Sequence, residues 1–369
     1  MKVLIVGCGL SGAVLAERLA SEGHDITIID KRNHIGGNCY DYIDENGILM
    51  NKYGAHLFHT NNDRVIEYVK RFADWRVWEH KVVGRIDEKY FPIPVNIDTV
   101  NTILDLDLRN EEDMSKWLEE NQTKYENPRN GKEAAMNRVG EYLYNLIFHT
   151  YTKKQWDKYP EELDPSVLQR IPVRNNRDSR YFSDKFQALP SHGYTKMFEN
   201  MLNNKNIKIK LQYDYFANQQ GPDYDKIIYT GPIDQYFANK GLPKLEYRSI
   251  NFVKETHDVE LFQENSVINY PGPEVDFTRI VEYKHLLNQK SEPPCKTTIV
   301  KEYSIADGEP YYPVPNDKNK ALYEKYKKYA EKEKDVLFVG RLASYKYYNM
   351  DEAIFNALQI YDQIKDKMA

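Results

Sequence analysis

The chain alternates between two hydrophobic periods. Residues 3–6 form a short apolar run ending in glycine, Ala13, Val14, Ala16, Leu19 and Ala20 then recur at helical spacing, and residues 26–29 form a second apolar run. Strand, helix, strand in that order predicts a βαβ unit on a parallel sheet. The stretch 75–94 alternates as a hairpin whose arms flank Asp87 and Glu88. From about 100 to 170 the period turns helical, and within 132–148 the residues Ala135, Val139, Leu143, Leu146 and Ile147 share one stripe that needs a covering partner. Beyond Pro172, short strands are predicted at 207–211, 226–229, 245–254, 278–283 and 297–303. Residues 318–334, rich in Lys, Glu and Tyr, read as a solvated surface helix. A last strand at 335–340 runs into glycine and is followed by a helix over 351–364.

The turn after the first strand carries Gly7, Gly9 and Gly12, with Ser11 between the last two. That spacing lets the backbone turn tightly, approach a pyrophosphate and seat the following helix closely on the strand, with the helix N-terminus toward the phosphates. Eighteen residues later Asp30 closes the second strand, where a carboxylate accepts from a ribose hydroxyl pair. Gly36 and Gly37 follow, with Lys31 and Arg32 before them and Asn38 after. A second glycine loop of this kind suits FAD better than a nicotinamide cofactor, with Arg32 available for charge. The fold class expected is therefore α/β: a Rossmann-like FAD-binding domain assembled from discontinuous segments, an inserted α-helical domain and an antiparallel β-sheet domain. Their expected extents are 1–80 with 205–243 and 318–369; 95–175; and 81–94, 176–204 and 244–317.

Composition narrows the partners. With 369 residues the chain can bury a substantial core, and a net charge of −5 presents no basic surface for nucleic acid or an anionic membrane. Three widely spaced cysteines, Cys8, Cys39 and Cys295, suit a reducing compartment and show no metal-ligand grouping. No segment approaches the roughly 20 apolar residues of a membrane span, and no leader precedes the first strand, so the expected location is the cytoplasm.

Four further segments carry chemistry. Tyr53-Gly-Ala-His56-Leu57-Phe-His59-Thr60 places two histidines three apart in a glycine-flanked loop; with no third ligand nearby, a position against the flavin ring is the preferred reading, and no metal is expected. Phe148-His-Thr-Tyr151-Thr152-Lys-Lys-Gln-Trp156 gathers aromatic rings with hydroxyls and an amide, as a nucleobase requires, although packing of a helix end would use some of the same residues. Arg170-Ile-Pro-Val-Arg174, with Arg177, Arg180 and Tyr181 behind it, is a local excess of guanidinium suited to a diphosphate. Near the end, Glu309-Pro-Tyr311-Tyr312-Pro-Val precedes Gly340-Arg341-Leu342 and the cluster Tyr345, Tyr347, Tyr348, Asn349, Met350. Asn349 is placed as N-cap of the last helix, whose positive end can stabilise an anionic reduced flavin.

These motifs together resemble the bacterial UDP-galactopyranose mutase family over essentially the whole length. The resemblance implies a flavin-dependent isomerase that contracts UDP-galactopyranose to UDP-galactofuranose through a covalent reduced-flavin–sugar adduct, with no net redox and only occasional reduction by NADPH or another donor. It implies that Arg170 and Arg279 hold the diphosphate, that Phe148, Tyr151, Thr152, Trp156 and Tyr181 form the uridine and sugar pocket, and that Tyr312 and Tyr347 grip the diphosphate. His56 and His59 match the histidines beside the flavin, and Asn269 is matched to a sugar hydroxyl. The implied cofactor set comprises Gly7, Gly9, Ser11, Gly12, Asp30, Lys31, Arg32, Gly37, Asn38, His56, Leu57, Gly340, Arg341, Asn349 and Met350. A homodimer with a mobile lid across 156–174 is the usual architecture. Where the family usually has Asp, this chain has Asn349, which leaves the donor open among UDP-galactose, UDP-N-acetylgalactosamine, UDP-arabinopyranose and a dTDP-6-deoxyhexose. An amine-oxidase-like oxidoreductase and a non-catalytic nucleotide-sugar binder are the rival classes; the former commonly ends its last strand in Gly-Asp, not Gly340-Arg341.

Overall fold

A computed structural model describes residues 1–170, 172–218, 224–289 and 295–368. Its first sheet has five parallel strands in the spatial order Ile207–Lys210, Asp25–Ile29, Lys2–Val6, Lys226–Tyr229 and Val336–Phe338. Val3 and Ile5 of the central strand are fully buried, as a parallel sheet covered on both faces demands. The helix Leu10–Ser21 lies against the sheet, and Ile354, Ala357 and Leu358 of the terminal helix Met350–Met368 close over it. Gly12 permits that approach: a Cβ there would collide with the Gly7 carbonyl.

A second sheet has seven strands, in the order Tyr312–Pro313, Tyr247–His257, Thr297–Ile305, Arg279–Glu282, Val267–Asn269, Val82–Ile86 and Lys89–Ile93. All neighbours are antiparallel except Val267–Asn269 on Val82–Ile86. The helices Ile97–Leu104, Glu111–Asn121, Gly131–Leu143 and Thr150–Trp156 pack on one side around Met114, Val139, Leu143 and Ile147. Among the described residues no helix is long and apolar enough to cross a membrane.

Several expectations need correction. Trp75–Val77 is not part of the hairpin; it pairs with Phe186–Pro190, which also pairs with Phe58–Thr60. Within 176–204, expected in the antiparallel domain, Arg180 bridges Lys81 and Asn176 O accepts from Ile97 N, beside the second sheet and the helical insert, whereas Tyr194–Leu202 buries Tyr194, Met197, Phe198 and Met201 beside the helix Leu10–Ser21. The stripe over 132–148 does not ride one straight helix. Gly140 breaks it at φ +77°, and a π-helical turn, Tyr144–His149, follows. The segment 318–334 forms the helix Asp317–Ala330, but it is not merely solvated: Leu322 and Tyr326 are buried against Ile233, Phe237 and Leu245.

Candidate active site

The glycine loops form a cradle. A Cβ on Gly7 would strike the Thr230 hydroxyl, and one on Gly37 would lie 2.7 Å from Gly9 Cα, so neither position accepts a larger residue without displacing its neighbour. The two loops are joined by Gly36 N donating to Cys8 O at 2.9 Å. Gly7, Gly9 and Ser11 line one cavity with Asp30, Lys31, Arg32, Gly37, Asn38, His56, Gly340, Arg341, Asn349 and Met350. Helix geometry leaves the first amides of Leu10–Ser21 without intrahelical partners, which gives this wall a positive end.

Asp30 is held by two backbone donors, Cys8 N at 2.8 Å to Oδ2 and Arg32 N at 2.9 Å to Oδ1, which fixes its carboxylate while leaving lone pairs for hydroxyl donors. Arg32 donates to Glu309 and to Asn38 Oδ1 (2.9 Å) and stacks over Tyr53 at 4.2 Å. Lys31 reaches the same Glu309 at 3.2 Å. A bare phosphate-facing wall, paired cations and a fixed acid fit a dinucleotide diphosphate, and Tyr215, Phe216 and Tyr229 supply aromatic faces at another part of the cavity.

His56 faces this cavity with a defined tautomer. Its Nδ1 lies 2.7 Å from the Gly54 carbonyl, which can only accept, so Nδ1 carries the proton and Nε2 is left as an acceptor. Burial, aided by the Arg341 and Arg279 guanidiniums, lowers its pKa to about 4 despite that hydrogen bond, and the ring is neutral at pH 7. At the end of the cavity the terminal helix begins. Asn349 O accepts from Ala353 N at 3.0 Å and Asn349 N donates to Glu352 Oε2 at 2.7 Å, so Asn349 occupies the N-cap position with its backbone.

A second cluster adjoins the first through Arg341. This guanidinium lies 5.5 Å from the Tyr312 ring and 5.3 Å from the Tyr347 ring, and those two rings stack 5.3 Å apart at 16°. Trp156 approaches both at 6.4 Å, and Arg170 sits 4.5 Å over Tyr347. Burial pushes the Tyr347 phenol up, yet Arg170, Arg341 and Arg279 outweigh it and leave the phenol below the ordinary tyrosine value. Arg279 donates to Glu302 at 2.7 Å from the facing strand position, and Asn269 is its opposite neighbour. Tyr151 feels both Arg279 and Arg170 as well as Tyr181. Three guanidiniums and five aromatic rings thus converge beside the glycine cradle.

Other sequence-predicted residues do not line the cofactor cavity. His59 does not line the cavity that holds His56: it pairs with Asp184 at 2.9 Å and stacks on Phe182 at 3.7 Å. Three residues of nearly extended chain separate the two histidines by about 10 Å, and the strand Phe58–Thr60 commits the second to a different neighbourhood. Gly12 serves helix packing, whereas Leu57 and Phe148 pack in the same apolar cluster as Trp156, Tyr181, Tyr312 and Tyr347, and Thr152 is buried beside it. Ile171 lies outside the described residues. Glu302 and His80 were not anticipated, and Glu309 was read only as part of a motif, with no role. Glu302 and Glu309 become meaningful only once register and loop packing bring them to Arg279 and Arg32. Among the described residues no cluster could hold a metal ion.

Comparison with known proteins finds relatives over the full length of the chain. The family model described as UDP-galactopyranose mutase matches residues 146–347, and one described as an NAD(P)-binding Rossmann-like domain matches 5–72. The chain is 37% identical to a probable UDP-galactopyranose mutase of Klebsiella pneumoniae, covering 100% of this chain and 95% of that one. It is 35% identical to a dTDP-fucopyranose mutase of Escherichia coli, covering 97% of each. A crystal structure of reduced UDP-galactopyranose mutase superposes with a TM-score of 0.78 at 18% identity over 99% of this chain and 96% of that chain, a likeness of fold. The glycine cradle, the arginine-flanked tyrosine stack and full-length relatives above 30% identity agree, and the chain belongs to the UDP-galactopyranose mutase family of flavin-dependent isomerases.

Proposed function

We propose that this enzyme interconverts the pyranose and furanose forms of a galactose-configured sugar carried on a nucleoside diphosphate, with UDP-galactopyranose as first candidate. The observation that carries the reading is the placement of Arg170, Arg279 and Arg341 around the stacked Tyr312 and Tyr347 beside the cavity that holds His56. When bound and reduced, the flavin would supply a nucleophile for the anomeric carbon, so ring contraction needs no net redox.

The chain's own residues do the remaining work. Arg170 and Arg279 offset charge on the departing diphosphate, and Glu302 aims Arg279. Tyr347, its phenol already polarised by guanidiniums, donates to a phosphate oxygen alongside Tyr312. Trp156 and Tyr151 offer faces to the base and sugar. Neutral His56 presents Nε2 as an acceptor toward the cofactor cavity without adding charge. Replacing Arg170 or Arg279 by Ala is expected to reduce turnover by about 10²–10³-fold with flavin retained, and near-wild-type turnover would remove that arginine from the site.

A second reading keeps the chemistry and changes the donor to a dTDP-6-deoxyhexose. It is favoured by Asn349, which leaves the cofactor-facing helix cap uncharged, and by the dTDP-fucopyranose mutase among the full-length relatives. Dithionite-reduced protein incubated separately with UDP-galactofuranose, UDP-N-acetylgalactosamine and dTDP-fucose, followed by chromatography, decides between them. Conversion of none of the three, with flavin bound and reduced, would end the proposal.

A further inference from the structure

The helix Thr150–Trp156 carries Tyr151 and Trp156 into the site, while Asn269 and Arg279 stand on paired strands of the second sheet. Lys154 is one of the side chains that join the two. Its Nζ lies within hydrogen-bond distance of four backbone carbonyls in the loop between those strands: Tyr270 at 2.5 Å, Gly272 at 2.8 Å, Val275 at 3.2 Å and Phe277 at 3.3 Å. An ammonium has three protons, so the loop oversupplies acceptors to a single charge. Carbonyls fixed in a backbone cannot swing away as surface carboxylates do, and charge-assisted bonds to them are directional. The next residue adds a tether: Gln155 O accepts from Ser304 Oγ at 2.5 Å and from Arg248 Nε at 3.3 Å.

We propose that Lys154 is a positioning residue: by filling the carbonyl cage of loop 270–277 it holds the helix bearing Tyr151 and Trp156 in register with the hairpin bearing Asn269 and Arg279, and so sets the width of the nucleotide-sugar site. The inference rests on the nucleotide-sugar reading above. Lys154 does not line the cofactor cavity; it acts through the two walls it joins.

The test compares Lys154→Met, Lys154→Gln and Lys154→Arg in the flavin-loaded enzyme. Lys154→Met is expected to raise KM for the nucleotide sugar and Kd for UDP about tenfold with kcat within threefold of wild type, because the lost interaction serves binding uniformly. Lys154→Arg, which keeps the charge and the donors, should recover most of that loss. Lys154→Gln, with two donors and no charge, should fall between, and it carries the test if the Met variant does not fold. UDP affinity is read from isothermal titration calorimetry, so the inference can be judged even if wild-type enzyme converts none of the sugars tried, an outcome that would overturn the functional reading alone. UDP affinity and KM within twofold of wild type in the Met or Gln variant, or equal impairment in Met and Arg, would overturn the positioning assignment.

Discussion

Glu302 is 2% exposed, gives Oε2 to Arg279 and has no hydrogen-bond partner for Oε1 among the described residues. A buried carboxylate so arranged orients the guanidinium but also holds it back, and a diphosphate competes for the same donor. Glu302→Gln keeps the shape and removes the charge; kcat/KM is expected to fall about 100-fold with the flavin spectrum unchanged, since a desolvated charge pair loses one member. Activity within threefold of wild type would show that Arg279 needs no such partner. His80, 3% exposed, accepts from Trp78 Nε1 at 3.3 Å, and burial beside Arg279 lowers its pKa from 6.5 to about 3. A histidine kept neutral in the fold binds fewer protons than in the unfolded chain, so stability is complete above pH 6.5 and declines as pH falls from 6.5 toward 3. Thermal unfolding should register a loss on the order of 1–2 kcal/mol near pH 5 from this residue. In His80→Gln that part of the pH dependence should disappear; an unchanged slope would reassign it.

Elements separate what pattern can reveal from what it cannot. The first βαβ unit is legible because glycine spacing, helix period and the closing acid agree, and the strands 226–229 and 297–303 are long enough to declare themselves. Phe58–Thr60 and Trp75–Val77 are three residues each, too short to establish alternation, and their partner Phe186–Pro190 lies more than 100 residues away. The pairing of His59 with Asp184 is hidden for the same reason: nothing in its sequence neighbourhood announces Asp184. The break at Gly140 is equally silent, because a glycine within an apolar stripe does not disclose its φ. A Cβ at Gly140 would collide with the Asn121 carbonyl, and φ is +77°. Gly140→Ala is therefore expected to destabilise the helical insert by about 1–3 kcal/mol, seen as a lower unfolding midpoint in urea, whereas no shift would mean that the helix can straighten at little cost.

At the scale of the whole molecule, the cofactor cavity draws its walls from segments that begin with Val6 and end with Ala353, including Glu309–Tyr311 in the loop that joins two strands of the second sheet, Thr297–Ile305 and Tyr312–Pro313. A ligand filling that cavity touches the parallel sheet, the second glycine loop, a connecting loop of the second sheet and the terminal helix at once. It should act as a cross-link between parts that otherwise meet through side-chain contacts such as Arg32 with Glu309 and Arg341 with the Tyr311 carbonyl. Binding restricted to the folded state stabilises by about 2.7 kcal/mol at a ligand concentration 100 times Kd. Apoprotein titrated with FAD should thus show a midpoint that climbs with the logarithm of FAD concentration. Gly37→Ala should abolish the climb, because the added methyl would occupy the 2.7 Å space before Gly9 Cα at φ +56° and force the two glycine loops apart. A midpoint indifferent to FAD in the wild-type protein would mean that the cradle does not hold a dinucleotide, whereas a climb that survives in Gly37→Ala would place the diphosphate on the first loop alone.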